Sequence, residues 1–204
     1  MSQVQKISQF KSNVIDKSSL ARSNIFEVSL DYPAAVGTAS KDLNGPKIDL
    51  TKTKEATKFL VRAAQLPASN IGVVEVPFRG RMLKIAGDRT YEPWTITVMN
   101  DEGMKIRSAM EVWIGLMQRN NENFSQLGSN GTTDNTYADM KVEHLSRMPD
   151  NTGATSGGTT KTLRTYKFKH CYPTSISSIE LDSGSNDAIQ EFTVEFQVAY
   201  WEAS

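Results

Sequence analysis

The chain has 204 residues, with 23 Lys plus Arg balanced by 23 Asp plus Glu. Zero net charge argues against a general nucleic-acid binder, which normally carries a basic excess, and removes long-range repulsion between copies. A single cysteine, Cys171, excludes an intrachain disulfide, and no run approaches the 18 consecutive apolar residues of a membrane span.

A chain of this size buries about 70% of its unfolded surface, enough for a proper core. Residues 1–20 read as an N-terminal arm, with Ile7, Phe10, Val14 and Ile15 broken up by polar residues and no signal-peptide run. Residues 21–204 read as one domain with long loops at 33–57, 120–136 and 149–160. In the first strand Phe26, Val28, Leu30 and Tyr32 alternate with Glu27, Ser29 and Asp31. The segment Pro33–Thr57 is polar and rich in turn formers, with only Ile48 and Leu50 as anchors, and is expected to be a structureless loop. Phe59–Ala64 reads as a second strand, and Gly72–Val76 and Met82–Ile85 as short strands around Pro77-Phe78-Arg79-Gly80.

Gly87-Asp88-Arg89-Thr90 reads as a hairpin turn. It is followed by the strand Trp94–Met99, whose apolar residues 94, 96 and 98 alternate with Thr95 and Thr97. Asn100-Asp101-Glu102 carries a capping side chain and negative charge suited to a helix start, so the helix is placed from about Glu102 to about Asn120. Ile106, Met110, Trp113, Ile114 and Met117 form one stripe about 100° wide, which Ala109, Val112 and Leu116 extend to about 200°. Two explanations fit the excess width: contact with an adjacent subunit, or a long loop of the same chain lying over the helix.

Tyr137–Leu145 has weaker strand character. Leu163–Tyr172 places Tyr166, Phe168, His170 and Tyr172 on one face and ends at Pro173; Ser175–Leu181 is a further strand. Gln190–Trp201 is the longest, with Phe192, Val194, Phe196, Val198 and Tyr200 opposite Thr193, Glu195 and Gln197. The fold class is mainly β: an antiparallel β-sandwich or rolled barrel with one flanking α-helix. The expected core is Trp94, Ile96, Val98, Ile106, Met110, Trp113, Phe192, Val194 and Phe196.

Catalytic groups are absent from any recognisable arrangement. His144 and His170 have no partners at metal-ligand spacing; His170 is read as packed among aromatics and Cys171 as a small packed residue. Gly157–Lys161 lacks phosphate-loop spacing. The residues give no catalytic, cofactor-binding or metal site.

The run Ala86-Gly87-Asp88-Arg89-Thr90, an aromatic at Tyr91, then Trp94-Thr95-Ile96-Thr97-Val98-Met99-Asn100-Asp101 resembles the tail tube proteins of large contractile-tailed bacteriophages. Ser23–Val28 is similar to that family's first strand. Asn186, Ile189-Gln190, Phe192, Val194 and Tyr200-Trp201 are similar to its last. The resemblance spans about residues 20–32, 59–118 and 162–201, whereas 33–57 is longer than the family's link.

The resemblance implies a structural virion protein, with no enzymatic activity, cofactor or membrane. Its hexameric rings would stack into the inner tail tube that conducts double-stranded DNA into the host, after assembly in host cytoplasm. It implies contact with a tail sheath, baseplate and terminator, and with a tape-measure protein in the lumen. Thr193, Glu195 and Gln197, or instead Glu27, Ser29 and Asp31, are the candidate lumen face. Val112, Leu116, Ile48 and Leu50 are candidate subunit contacts, the last two between rings. Two other readings remain: a tube subunit of another contractile injection system, of secretion or bacteriocin type, or a monomeric β-sandwich binding module.

Overall fold

The computed structural model describes residues 7, 21–39, 48–118, 136–149, 160–184, 186 and 188–204. Apart from Ile7, the proposed arm lies outside the described residues, as do most of the loops expected at 120–136 and 149–160. Strands β1 (Phe26–Leu30), β2 (Val61–Ala64), β3 (Ser69–Phe78), β4 (Arg81–Tyr91), β5 (Trp94–Met99), β6 (Ala138–Pro149), β7 (Thr160–Ile176), β8 (Glu191–Gln197) and β9 (Tyr200–Ala203) account for the β structure. Helices α1 (Ala34–Ala39), α2 (Leu50–Leu60) and α3 (Lys105–Met117) complete it.

All strand pairs are antiparallel. The main sheet runs β1-β6-β7-β8-β5-β2, with β9 also on β7, and β3-β4 forms a separate ribbon. The long strand β7 serves two layers. Residues 160–171 pair with β6, and 166–169 also pair with β9 on the other side. Residues 172–176 then pair with β8. The two layers are thus β1-β6-β7-β9 and β7-β8-β5-β2.

Strict alternation dictates β5 and β8: Trp94, Ile96, Val98, Phe192, Val194 and Phe196 are buried, with their polar neighbours on the outer face. Trp94 stacks on Phe168 of the opposite layer at 4.5 Å between ring centres. Phe196 meets both Trp94, at 5.7 Å, and Trp113, at 6.3 Å, so the sheets and α3 share one core. Each indole is satisfied: Trp94 Nε1 donates to Gln65 O and Trp113 Nε1 to Thr136 O, both at 2.7 Å.

The segment 33–57 is not a structureless loop where it is described, because it carries α1 and most of α2. The inward positions of α2 are Leu50, Thr53, Thr57 and Leu60, at helical spacing. Thr53 and Thr57 are buried, and each hydroxyl donates to the carbonyl four residues back, at 2.9 and 2.8 Å, so no polar group is orphaned. Thr57 Oγ1 also lies 3.0 Å from Tyr32 Oη, and burial pushes that phenol's pKa well above its usual value. Asp49 caps the helix by accepting from the Thr51 and Lys52 amides.

Several sequence expectations shift. Phe59 belongs to α2, not to a strand, and is solvent-exposed. Helix α3 starts at Lys105, not Glu102: residues 101–103 make an extra turn, Met104 sits at φ +47°, and Asp101 Oδ1 accepts from the Lys105 amide at 2.9 Å. Its end is Met117 instead of Asn120. The strand expected from Leu163 runs through Pro173 to Ile176, and none covers 177–181. The long last strand breaks at Val198-Ala199, which leaves Tyr200 outside the core. His170 is exposed, with its ring edge-on to Tyr137 at 6.3 Å and not enclosed among aromatics. A bulge opposite Ala138–Met140 puts it at φ +52°, while Cys171 points inward as expected.

Candidate assembly surface

Cys171 is fully buried, and desolvation pushes its thiol up to about 12, far from a nucleophile's range. Among the described residues no three His, Cys, Asp or Glu side chains gather as a metal site. A cavity of about 230 Å³ opens between the starts of α2 and α3. Its Asp49 is engaged in the helix cap and its Lys105 pairs with Asp101.

The conspicuous surface is the β3-β4 ribbon. Its turn at Arg79-Gly80 has positive φ at both residues, +47° and +81°, the twist that suits a two-residue hairpin. Register pairs Val74 with Ile85, Val76 with Leu83 and Phe78 with Arg81. Side chains alternate across the ribbon, so Val74, Val76, Phe78, Leu83 and Ile85 share one face. They are 40–65% exposed. The other face carries Val73, Pro77 and Met82 with the Glu75–Lys84 ion pair. A lone two-stranded hairpin is marginal in water, and a contiguous exposed apolar face of this kind marks an interaction surface.

The turn expected at Gly87–Thr90 is strand instead. Register slips between Ile71 and Val73, and a Cβ on Gly87 would sit 3.1 Å from Gly72 O. The glycine signal therefore reports a bulge and a close backbone approach.

Of the residues expected at subunit contacts, Val112, Leu116 and Ile48 are buried within this chain, and half-buried Leu50 packs against the same core. The wide α3 stripe is covered in this chain by α1 and α2.

The two candidate lumen faces lie on opposite layers. Thr193, Glu195 and Gln197 pair in register with Thr97, Thr95 and Tyr172 on the outer face of the β8-β5 layer. In β2, β5 and β8 the one cation is Arg62, which is ion-paired with Glu191. Glu27 and Asp31 instead bind Lys58 and Lys54 of α2 at 2.9 and 2.8 Å. Across that layer Ser29, Lys141, Lys167 and Glu202 lie in one register row, beside Lys169 paired with Asp139. The glutamate and aspartate neighbours raise the Lys58 and Lys169 pKa values, chiefly by hydrogen bonding.

Two antiparallel layers and a projecting ribbon with an exposed apolar face are the features of the described residues. The chain belongs to the phage tail tube protein family, whose model matches residues 21–204. It is 29% identical over 182 residues to tail tube protein gp19 of Enterobacteria phage T4, covering 89% of this chain and 91% of that protein. It is 21% identical over 191 residues to the tail tube protein of Serratia phage KSP90, covering 94% and 93%. Its fold matches a chain of the PVC sheath–tube complex, an extracellular contractile injection system, at TM-score 0.54 and 15% identity over 98% of both chains. It also matches a chain of the anti-feeding prophage tube-terminating cap, at TM-score 0.57 and 14% identity over 94% and 95%. The protein is thus a structural component of a contractile phage tail and not an enzyme.

Proposed function

We propose that copies of this chain form hexameric rings that stack into the inner tail tube and conduct double-stranded DNA to the host. Edge-to-edge joining of the β7-β8-β5-β2 layers would close a barrel and remove their free edges. The observation that carries the reading is the apolar β3-β4 arm, which the subunit does not bury by itself. A second copy, on an adjacent ring, is its partner. Ile48 is buried and Leu50 half-buried within the subunit, so inter-ring contact passes from them to the arm.

The lumen wall is the outer face of the β8-β5 layer, with Thr95, Thr97, Thr193, Glu195 and Gln197. Its support is charge: hydroxyl, amide and carboxylate groups give phosphate little to hold, whereas the opposite layer carries Lys167 beside Lys141 and Lys169, which are paired with Glu143 and Asp139. That lysine-bearing layer faces outward, toward a tail sheath. Baseplate and terminator meet the tube ends, a tape-measure protein fills the lumen before DNA, and assembly takes place in host cytoplasm. Negative-stain microscopy of the purified chain tests the core of this reading. Six-fold rings or tubes are expected, and a monomer at every protein and salt concentration would overturn it.

A further inference from the structure

The residues 86–90 that carry the strongest sequence signal lie at the root of the arm, and their arginine is engaged there. The Arg89 guanidinium carbon is 5.0 Å from the Tyr91 ring centre and 5.4 Å from that of Trp201 on β9. Its Nη2 donates to Ser69 Oγ at 3.1 Å. Tyr91 and Trp201 meet edge to face at 6.3 Å, and Trp201 meets Tyr166 of β7 at 5.9 Å. Trp201 Nε1 also donates to Ala68 O, at 3.4 Å, and Asn70 donates to Glu92. Among the described residues no carboxylate lies within ion-pair distance of Arg89, so its contacts within the chain are two rings and one hydroxyl.

Just beyond this anchorage lies the bulge, where a Cβ at Gly87 would sit 3.1 Å from Gly72 O, a tight contact that would force the backbone to give by a few tenths of an ångström. A bulge bends a ribbon and makes its direction the variable to be fixed. From Arg89 to the turn the arm extends about 30 Å, at roughly 3.4 Å per residue. A swing of about 10° at the root therefore moves the tip by about 5 Å, more than close-packed side chains tolerate.

We propose that Arg89 is a positioning residue: clamped between Tyr91 and Trp201, it fixes the angle at which the β3-β4 arm leaves the body and so aims its apolar face at a second copy. The inference rests on the reading that the arm docks on a neighbouring subunit. Fixing the arm in advance removes an ordering cost from each docking event. It also assigns the Gly87-Asp88-Arg89 motif its parts: glycine permits the bend and arginine sets it.

The test uses the full chain with spin labels at Lys84→Cys on the arm and Ser178→Cys on the body; buried Cys171 stays unlabelled. In dilute subunits Arg89→Ala should broaden the label-to-label distance distribution while lowering the thermal midpoint by no more than a few degrees, and Arg89→Lys should restore part of the sharpness. The protein concentration at which tubes appear should rise roughly five-fold or more for Arg89→Ala, the scale of losing two exposed cation–π contacts. An unchanged distribution, or an unchanged onset of assembly, overturns the proposal, as does a midpoint loss that Arg89→Lys shares in full. The double variant Val76→Asp with Leu83→Asp separates the two ideas. If it assembles normally the docking reading is wrong, and the distance measurement still decides whether Arg89 holds the arm.

Discussion

Replacing Trp113 tests whether α3 and the sheets share one core. The side chain is 0% exposed. Its ring lies 6.0 Å from Tyr32 and 6.3 Å from Phe196, and its Nε1 donates to Thr136 O at 2.7 Å. Truncation to alanine removes the ring from a buried site between an α3 neighbour and β8, and such large core truncations cost about 3–5 kcal/mol. The Thr136 carbonyl loses its donor, and an unsatisfied buried group costs about 1–3 kcal/mol. Against a total stability of about 5–15 kcal/mol, Trp113→Ala is expected near the edge of folding. Trp113→Phe keeps most of the ring and loses the hydrogen bond, so about 1–3 kcal/mol is expected. That is a drop of roughly 2–12 °C in thermal midpoint at about 2–4 °C per kcal/mol for a chain of this size. Urea denaturation followed by circular dichroism measures both variants. Changes of only a few tenths of a kcal/mol for Trp113→Ala would mean that α3 does not pack as described.

Alkaline pH should destabilise the subunit. Burial raises the Cys171 thiol from 9.0 to about 12 and the Tyr32 phenol upward from 10.0, while Lys58 and Lys169 are raised from 10.5. Each group holds its proton more tightly folded than unfolded, so its contribution is complete below the unfolded value and is lost as pH climbs toward the folded one. The urea midpoint should therefore fall as pH rises above about 9, and a flat or rising midpoint to pH 11 would contradict these environments. Placing lysines on the proposed lumen wall, Thr193→Lys with Glu195→Lys, should slow genome ejection from phage whose tails carry the variant. Glu27→Lys with Ser29→Lys, on the opposite layer, should not; equal slowing would refute the lumen assignment.

Strands β1, β5 and β8 were legible because alternation in sequence is alternation in burial, as Trp94-Thr95-Ile96-Thr97-Val98 displays. Helix α2 was hidden by its chemistry. Its inward threonines bury their hydroxyls on the helix's own carbonyls, so an apolar periodicity search passes over them. The excess width of the α3 stripe is legible in the sequence, which leaves two coverings open; within this chain α1 and α2 pack on it. The β3-β4 arm reads from sequence as two short strands because Gly87 looks like a turn signal, whereas here it approaches Gly72 at a bulge within one long strand pair. Its isolation from the main sheet is a tertiary property with no local signature. Cys171 is buried as its residue type suggests, whereas His170 is exposed because one extra residue in β7 reverses which side chain points inward.

The measurement that meets the assembly account most directly is a photo-crosslink from the arm. A photoreactive residue introduced at Val76, at the middle of the apolar face, is irradiated in dilute subunits and in material grown to the concentration at which tubes form. The account predicts chain-to-chain products in the assembled sample alone, mapping to the body of a second copy. Products confined to the same chain in both samples would show that the arm folds back on its own subunit, and the proposed docking would be wrong.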